Sequence, residues 1–223
     1  RACIRGFYGA VDVRTRARAR GSTAAQVDEE IRALDRRPLH LLIGEGGTGK
    51  STVIHKLTEM MAGGQTGPVL TTAFTGVAVA PFGNPTLMSL MSIAMCDKDQ
   101  GSGSVLGPAE RLAPRDDDKI IAAIHKWLEE SGVAIDKVGG IVIDEISFVS
   151  ASLLGKVDHY CREMMWKKMH EKDPSIMDVP FGGIPVLLGG DNMQKSPVKR
   201  CSARAPRASE FAAVRSHLVT AVM

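Results

Sequence analysis

The stretch from residue 44 to residue 51 constrains the fold of this chain more than any other. It reads Gly-Glu-Gly-Gly-Thr-Gly-Lys-Ser and fits the pattern Gly-x-x-x-x-Gly-Lys-Ser/Thr, in which glycines let backbone N–H groups turn inward around phosphates. The apolar run Leu39–Ile43 precedes it, and apolar residues at helical spacing follow from Thr52 to Met61. A glycine-rich loop between a strand and a helix predicts a nucleotide-binding α/β domain.

The predicted nucleotide-binding residues are continuous along the chain. We expect Lys50 to contact the β- and γ-phosphates, and we expect the Ser51 hydroxyl to ligate Mg²⁺. Backbone N–H groups of the loop and of the start of the helix would face the phosphates. The full predicted set is Gly44, Glu45, Gly46, Gly47, Thr48, Gly49, Lys50, Ser51 and the adjoining Thr52.

Two acidic residues, Asp144 and Glu145, end an apolar strand predicted over residues 139–145. The carboxyl ends of parallel strands share one edge of a sheet, so we expect this pair to converge with the phosphate loop. Asp144 would hold Mg²⁺, directly or through water, and Glu145 would polarise the attacking water. The alternative is that the two acids only cap the next helix. Gln194, after another strand, would either sense the γ-phosphate or be an ordinary loop residue.

Apolar strands alternate with helices through the middle of the chain. This order predicts a parallel sheet that is covered by helices on both faces. Residues 97–118 are rich in Gly, Ser, Pro and Asp and are predicted to form a surface loop or insertion. The predicted strands are 39–43, 69–73, 139–145 and 184–188, and the predicted helices are 22–34, 52–61, 75–80, 86–95, 119–130 and 151–170.

The positive charge of the chain is concentrated at its ends. Residues 1–20 and residues 195–223 each carry +5 and the whole chain carries +3, which leaves −7 for the residues between them. We therefore predict a basic tail without regular structure at 1–21 and a basic tail of unclear structure at 199–223, on either side of one domain at 22–198. The alternatives are an electrostatic footprint for nucleic acid and, for the first tail, part of a transit peptide.

The composition argues against a membrane protein and against a metal or disulfide scaffold. No apolar run approaches the roughly 18 residues of a membrane span. The four cysteines are scattered and form no Cys-x-x-Cys pair, so we expect reduced thiols. The sequence does not begin with Met, and we expect a fragment or a processed product.

Several of these stretches occur in the order of the motifs of one helicase family. Residues 22–198 resemble the first RecA-like domain of superfamily-one DNA helicases of the petite-integration-frequency (Pif) type. These are RecD-like motors that move 5′ to 3′ on single-stranded DNA, and the Helitron transposon helicases are similar. Residues 44–51 resemble motif I, 72–78 motif Ia, 86–90 a further family stretch, 143–150 motif II and 180–198 motif III.

The resemblance implies a RecA-like P-loop NTPase domain with ATP and Mg²⁺ as cofactors. Hydrolysis would depend on Lys50, Asp144, Glu145 and Gln194, with Ser51 and Asp144 at the metal. In addition, Gln26 lies eighteen residues before the loop, where the family has a glutamine that reads adenine.

The resemblance also implies a DNA-contacting surface. Thr75, Gly76 and the region around Ser89 would touch the DNA backbone. Phe74 stands where the family has Pro, and it would either stack on a base or pack in the core, of which we prefer packing. The sequence departs from the family at Met88, where His is usual, and at Lys195-Ser196, where Leu-Pro is usual.

The function implied is that of an ATP-dependent 5′–3′ DNA helicase in DNA repair, recombination and telomere maintenance. Its expected location is the nucleus, with the mitochondrion as the alternative. The expected partners are single-stranded DNA, DNA forks and a second RecA-like domain missing from this chain, which would supply an arginine finger and half of the DNA track. We therefore expect these residues to bind Mg·ATP but to unwind poorly. The alternatives are an ATP-binding half-motor and a decayed transposon-helicase remnant without unwinding activity.

Overall fold

A computed structural model describes most of the predicted domain. It covers residues 2–33, 39–62, 67–90, 117–130, 132–149, 151–169 and 171–191. The predicted surface loop up to residue 116, the candidate Gln194 and the predicted tail at 199–223 lie outside these residues.

After the first two helices, each described strand is separated from the next by one or more helices. The strands are β1 (Leu39–Ile43), β2 (Val69–Ala73), β3 (Gly140–Asp144) and β4 (Val186–Gly190). The helices are α1 (Ala2–Ala19), α2 (Ala24–Ala33), α3 (Lys50–Ala62), α4 (Gly76–Val79), α5 (Leu87–Leu90), α6 (Asp117–Glu130) and α7 (Ala151–Met169). Short 3₁₀ turns lie at Ala80–Phe82, Ile135–Lys137, Ile146–Phe148, Pro174–Asp178 and Pro180–Gly183.

The four strands form one parallel sheet in the order β1-β4-β3-β2, which confirms the predicted sheet. Ile43 pairs with Gly190 at the end of β1 and β4, and Ala73 pairs with Asp144 at the end of β2 and β3. All four strands therefore finish at the same edge of the sheet. The loop after β1 and the acidic pair at the end of β3 both lie along that edge.

Alternate residues of the strands bury their side chains on opposite faces of the sheet. Ile141 and Ile143 of β3 belong to a core cluster that includes residues of α6 and α7. Val142, between them, packs with Leu187 of β4 and with residues of α1 and α3. Helices therefore cover both faces, as the sequence predicts. Each fully buried aliphatic side chain of this kind contributes about 1.5–3 kcal/mol of transfer free energy.

The prediction of an irregular tail over residues 1–21 is wrong, because α1 packs against the sheet. Phe7 and Val11 have no exposed surface and belong to the cluster on the α3 side. They lie over Gly140 of β3, where an added Cβ would come within 2.8 Å of Phe7 Cζ and 2.9 Å of Val11 Cγ2. A glycine at this position lets the helix approach the strand closely.

The buried face of α1 includes an arginine, so the polarity of the sequence does not predict it. Arg14 is 1% exposed, and its Nε donates to the backbone oxygen of Val138 at 3.1 Å. Burial, helped by the neighbouring charge of Arg18, lowers the pKa of Arg14 to about 9. Arg14 is thus a structural residue that continues the buried face of the helix beyond Val11.

A buried ion pair ties α1 to α2 and to the turn at Pro174–Asp178. Arg18 Nη1 donates to Oδ2 of Asp173 at 2.7 Å, and the two side chains are 12% and 2% exposed. The same carboxylate accepts hydrogen bonds from the backbone N of Ala24 at 2.7 Å and from Ser175 Oγ at 2.6 Å. Burial by itself raises the pKa of Asp173, but the hydrogen bonds from Ser175, Arg18 and Ala24 outweigh it and hold that pKa below its ordinary value.

Most predicted boundaries lie within two residues of the observed ones. Helix α3 begins at Lys50 instead of Thr52, since the turn continues into the loop, where Val53 N donates to Gly49 O. The last strand begins at Val186 instead of Ile184, because Pro185 has no N–H to give to the ladder. The carbonyl oxygen of Pro185 still accepts a hydrogen bond of 2.9 Å from the N–H of Ile141.

The described cysteines, Cys3 and Cys161, are free thiols. Cys161 of α7 is buried, and burial raises its pKa to about 12. Among the described residues, no group of three or more His, Cys, Asp and Glu side chains is placed to hold a metal ion. None of the described helices combines the length and the apolar character needed to cross a bilayer.

Candidate active site

The loop between β1 and α3 has the backbone shape that its glycines predict. Gly47 and Gly49 have φ of +76° and +83°, which is the left-handed region that glycine enters without a steric cost. The N–H of Gly44 donates to Gly190 O of β4 at 3.2 Å, and Thr48 Oγ1 donates to Glu45 O at 2.8 Å. The loop is therefore fixed to the sheet at its start and braced by its own threonine.

Lys50 lies against this loop. Its Nζ donates to the carbonyl oxygens of Gly44 and Glu45, at 2.7 Å in each case. An ammonium group has three donors and binds phosphate oxygens as readily as carbonyl oxygens. The structure thus places the lysine charge at the loop, and its contact with the β- and γ-phosphates stays a prediction.

The Ser51 hydroxyl meets the acidic pair at the end of β3. Ser51 Oγ donates to Asp144 Oδ2 at 2.8 Å, and Asp144 Oδ1 accepts from the N–H of Glu145 at 2.8 Å. Asp144 is 3% exposed. The convergence of the loop with Asp144 is as predicted. Glu145 lies at the N-cap of the turn Ile146–Phe148 but makes no side-chain cap hydrogen bond there.

Strand β4 comes close to Asp144 through a glycine. A Cβ added to Gly189 would lie 2.7 Å from Asp144 Oδ1 and 2.8 Å from Ile54 Cδ1. Any larger residue at 189 would therefore push on the carboxylate or on α3. The glycine therefore allows the backbone of β4 to pack closely against Asp144.

Asp191 is a site residue that the sequence reasoning did not single out. It follows β4 directly and is 5% exposed, and its Oδ2 lies 3.6 Å from the position of a Cβ added to Gly46. A second carboxylate thus lies beside the phosphate loop. The signal that could have found it is the one used for Asp144, namely an acid at the carboxyl end of a buried parallel strand.

Glu145 turns toward the end of β2. Its backbone is left-handed, with φ 58° and ψ 39°, which is uncommon for a residue other than glycine. Its Oε2 accepts a hydrogen bond of 2.9 Å from the N–H of Thr75. The second acid of the pair thus contacts the segment in which the sequence predicts a DNA contact.

Phe74 is partly buried and packs against the core, in agreement with the preferred interpretation. Its ring stacks on Phe148, with centroids 5.7 Å apart and planes at 20°, and it lies against the cluster on the α7 side. The next residues are open to solvent: Gly76 is exposed and Val77 is 87% exposed. The predicted DNA contacts of Thr75 and Gly76 stay predictions.

The segment before Ser89 is tied to β2. Asn84 Nδ2 donates to Thr71 O at 2.7 Å, and Thr72 Oγ1 donates to the backbone oxygen of Pro85 at 3.0 Å. Ser89 itself is exposed, and its N–H donates to Thr86 Oγ1 at 3.1 Å. The two predicted DNA-contacting segments therefore adjoin the same strand.

Gln26 takes part in the start of α2. Its Oε1 accepts from the N–H of Thr23 at 2.9 Å, and its own N–H donates to Thr23 Oγ1 at 3.3 Å. This reciprocal pair is a capping box, which stabilises a helix N-terminus. The adenine-reading role of Gln26 stays a prediction.

Comparison with known proteins identifies the family of the chain. The profile of the PIF1-like helicase family matches residues 26–222. The ATP-dependent DNA helicase PIF1 of Saccharomyces cerevisiae (strain YJM789) is 29% identical over 159 residues, which are 70% of this chain and 15% of that protein. The Homo sapiens protein of the same name is 31% identical over 186 residues, 81% of this chain and 24% of that protein.

A solved structure is also similar. The Pif1 helicase from Bacteroides in complex with ADP-AlF3 and ssDNA is 23% identical, with a TM-score of 0.46, over 84% of this chain and 35% of that one. The matched part of this chain covers less than a quarter of the length of either curated relative. The family match covers most of the sequence, including both the phosphate loop and the acidic pair. The chain therefore belongs to the PIF1-like helicase family.

Proposed function

We propose that this chain is the first motor domain of an ATP-dependent 5′–3′ DNA helicase, which binds Mg·ATP on residues 44–52 and single-stranded DNA beside β2. The observation that carries the proposal is the hydrogen bond of 2.8 Å between Ser51 Oγ and Asp144 Oδ2. It joins the phosphate loop to a carboxylate at the shared edge of the sheet. A loop alone would only bind a nucleotide, and hydrolysis needs a carboxylate of this kind beside it.

The residues present fit a magnesium nucleotide. A hydroxyl and a carboxylate offer the hard oxygen ligands that Mg²⁺ prefers, and Mg²⁺ takes few protein ligands when phosphates supply others. Ser51 and Asp144 would hold the ion, and Lys50 would bind the β- and γ-phosphates. When bound, the ion neutralises negative charge on the phosphates. Glu145, next to Asp144, is the proposed group that orients and polarises the attacking water.

The proposed DNA surface lies on the segments that adjoin β2. Gly76 has a backbone N–H, and Thr75 and Ser89 have hydroxyl groups, which are usual partners of the sugar-phosphate backbone. Thr75 is half-buried, and Gly76 and Ser89 are exposed. The relatives named above are called DNA helicases, and one similar structure holds ssDNA, which supports the same choice of partner here. DNA forks are the proposed substrate of the complete motor.

Unwinding is proposed for the whole protein, in which a second RecA-like domain works with this one. Opening and closing of two domains around ATP is what converts hydrolysis into movement along a strand. The same family membership supports roles in DNA repair, recombination and telomere maintenance. It is compatible with the nucleus, the location we propose, and with the mitochondrion.

Calorimetry tests the nucleotide site directly. The 223-residue chain is titrated with ATP in excess Mg²⁺, beside the variants Lys50→Ala and Lys56→Ala. Lys56 is the matched control, because it lies on the same helix with a side chain that is 71% exposed and paired with Glu59. We expect Lys50→Ala to abolish measurable binding and Lys56→Ala to keep the wild-type affinity. Unchanged affinity in Lys50→Ala would refute the proposed site.

Two further assays on the same chain address the motor. Single-stranded DNA is expected to bind and to stimulate ATP hydrolysis, whereas strand displacement on a forked duplex is expected to be slow. Robust unwinding by these residues alone would contradict the need for a second domain. ATP binding without any effect of DNA would instead favour the half-motor alternative.

A further inference from the structure

The ends of β2 and β3 are joined beyond the sheet by a junction, which we define as residues 74–76 and 145–148. Two contacts make it: the Thr75 N–H donates to Glu145 Oε2 at 2.9 Å, and the Phe74 ring stacks on Phe148. Within the second segment, the N–H of Phe148 donates to Glu145 O at 3.0 Å. The junction therefore connects the segment of the proposed DNA contact to the proposed water-polarising carboxylate.

Glu145 is held in an unfavourable backbone conformation by this junction. Its left-handed φ of 58° has a cost for a residue with a Cβ, and such conformations persist where the surroundings fix them. Here the side chain is bound by Thr75, and the backbone N–H is bound by Asp144 Oδ1 at 2.8 Å. Loss of one of these restraints would let the carboxylate move.

The Thr75 N–H is a single donor that two kinds of anion can use. One is the Glu145 carboxylate, which accepts it in this structure. The other is a phosphate oxygen of a strand lying on the exposed Gly76 and Val77, since backbone N–H groups commonly bind phosphates. Thr75 is itself half-buried, next to the exposed Gly76.

We propose that Thr75 is a positioning residue for Glu145, and that a single-stranded nucleic acid on the junction takes over the Thr75 N–H and releases the carboxylate. This inference rests on the proposed function. It adds a physical link between the two sites of that function. A carboxylate that has lost this hydrogen bond is free to turn toward the nucleotide. Strand binding would in this way favour contact of Glu145 with the attacking water.

Nuclear magnetic resonance of the Thr75 amide tests the link without requiring turnover. The ¹⁵N-labelled chain is compared with Glu145→Ala, Glu145→Gln and the control Glu129→Ala, whose side chain is exposed on α6. In the free protein, we expect amide exchange at Thr75 to be about tenfold faster in Glu145→Ala, the size expected for a hydrogen bond to a charged acceptor. Glu145→Gln should lie between it and wild type. The N–H of Ala78, which donates to Thr75 Oγ1, should not change.

The same spectra are then recorded with a saturating thymidine oligonucleotide, with binding followed separately by fluorescence anisotropy. We expect the Thr75 amide exchange rates of wild type and Glu145→Ala to become equal, because the donor has left the carboxylate. A difference that persists in the bound state overturns the inference while leaving DNA binding intact. Equal exchange in the free wild type and Glu145→Ala also overturns it. A flat anisotropy titration would instead overturn the proposed DNA site, and with it the link.

Discussion

The Ser51 hydroxyl donates to Asp144 Oδ2 at 2.8 Å, across 93 positions of the sequence. Ser51 belongs to the first turn of α3, and Asp144 is the last residue of β3. The contact exists because β1 and β3 both run toward the same edge and are separated only by β4. Two short motifs thus become one site through the topology of the sheet.

The negative charge of Asp144 should increase the affinity for ATP only when Mg²⁺ is present. In Asp144→Asn the side chain keeps its size but loses its charge, so we expect the gain in ATP affinity that Mg²⁺ provides to fall by about tenfold or more. Calorimetry with Mg²⁺ and with EDTA gives that gain as a ratio. The control is Asp12→Asn, at a side chain that is 39% exposed on α1. An unchanged ratio in Asp144→Asn would mean that this carboxylate does not hold the ion.

Gly189 should be intolerant of even one methyl group. The Cβ of Gly189→Ala would lie 2.7 Å from Asp144 Oδ1 and 2.8 Å from Ile54 Cδ1, and overpacking of this kind costs about 1–3 kcal/mol. Urea unfolding measures the loss. For Gly76→Ala, where an added Cβ meets nothing within 4 Å, we expect a change below about 0.5 kcal/mol. Equal stabilities of the two variants would argue against the close approach of β4.

Phe7 should be as important to stability as a residue of the central sheet. Phe7→Ala removes a ring with 0% exposure that packs over Gly140, and we expect a loss of about 3–5 kcal/mol in the free energy of unfolding. Tyr8→Ala, at a neighbouring residue that is 44% exposed, should cost much less. If both variants unfold at the wild-type urea concentration, α1 is not docked on the sheet.

Asp173 should make the protein sensitive to acid. Its folded-state pKa is held below the ordinary value, so its stabilising contribution is present at neutral pH and is lost as the pH falls through that lowered pKa. Removing one partner of a buried ion pair costs about 3–5 kcal/mol. We expect Asp173→Asn to be less stable at pH 7 and to lose less stability than wild type on acidification below about pH 4.

Urea midpoints between pH 7 and pH 3 measure this dependence. The control is Asp178→Asn, at an exposed aspartate of the neighbouring turn, and its pH profile should follow that of wild type. A parallel profile for Asp173→Asn would show that the Arg18 pair does not contribute to acid sensitivity.

The sequence predicts well those parts of the fold that depend on residues close together in the chain. The apolar run Leu39–Ile43, the glycine-rich loop and the helix after it are contiguous, and the rule that parallel strands end at one edge brought Asp144 to the loop. Strand β2 was predicted with its observed bounds. Each of these predictions needed only neighbours in sequence and one rule of topology.

The parts that were missed depend on contacts between distant segments. Helix α1 looked like a solvated basic tail because Arg14 and Arg18 count as polar, yet Arg14 bonds to a carbonyl 124 positions away and Arg18 to Asp173. The bond from Thr75 to Glu145 also spans two loops. The periodicity of apolar residues cannot predict such contacts, because these residues become neighbours only when the strands pair.

The docking of α1 also has a consequence for the kinetics of folding. Phe7 and Val11 share a cluster with Val142 of β3 and Leu187 of β4, so α1, which precedes the four described strands in the sequence, packs against the third and fourth of them. Contacts of such long sequence separation close large loops and slow folding. Until β4 emerges, the apolar side of α1 lacks its final surface, and a nascent chain of this domain must keep that side from aggregating.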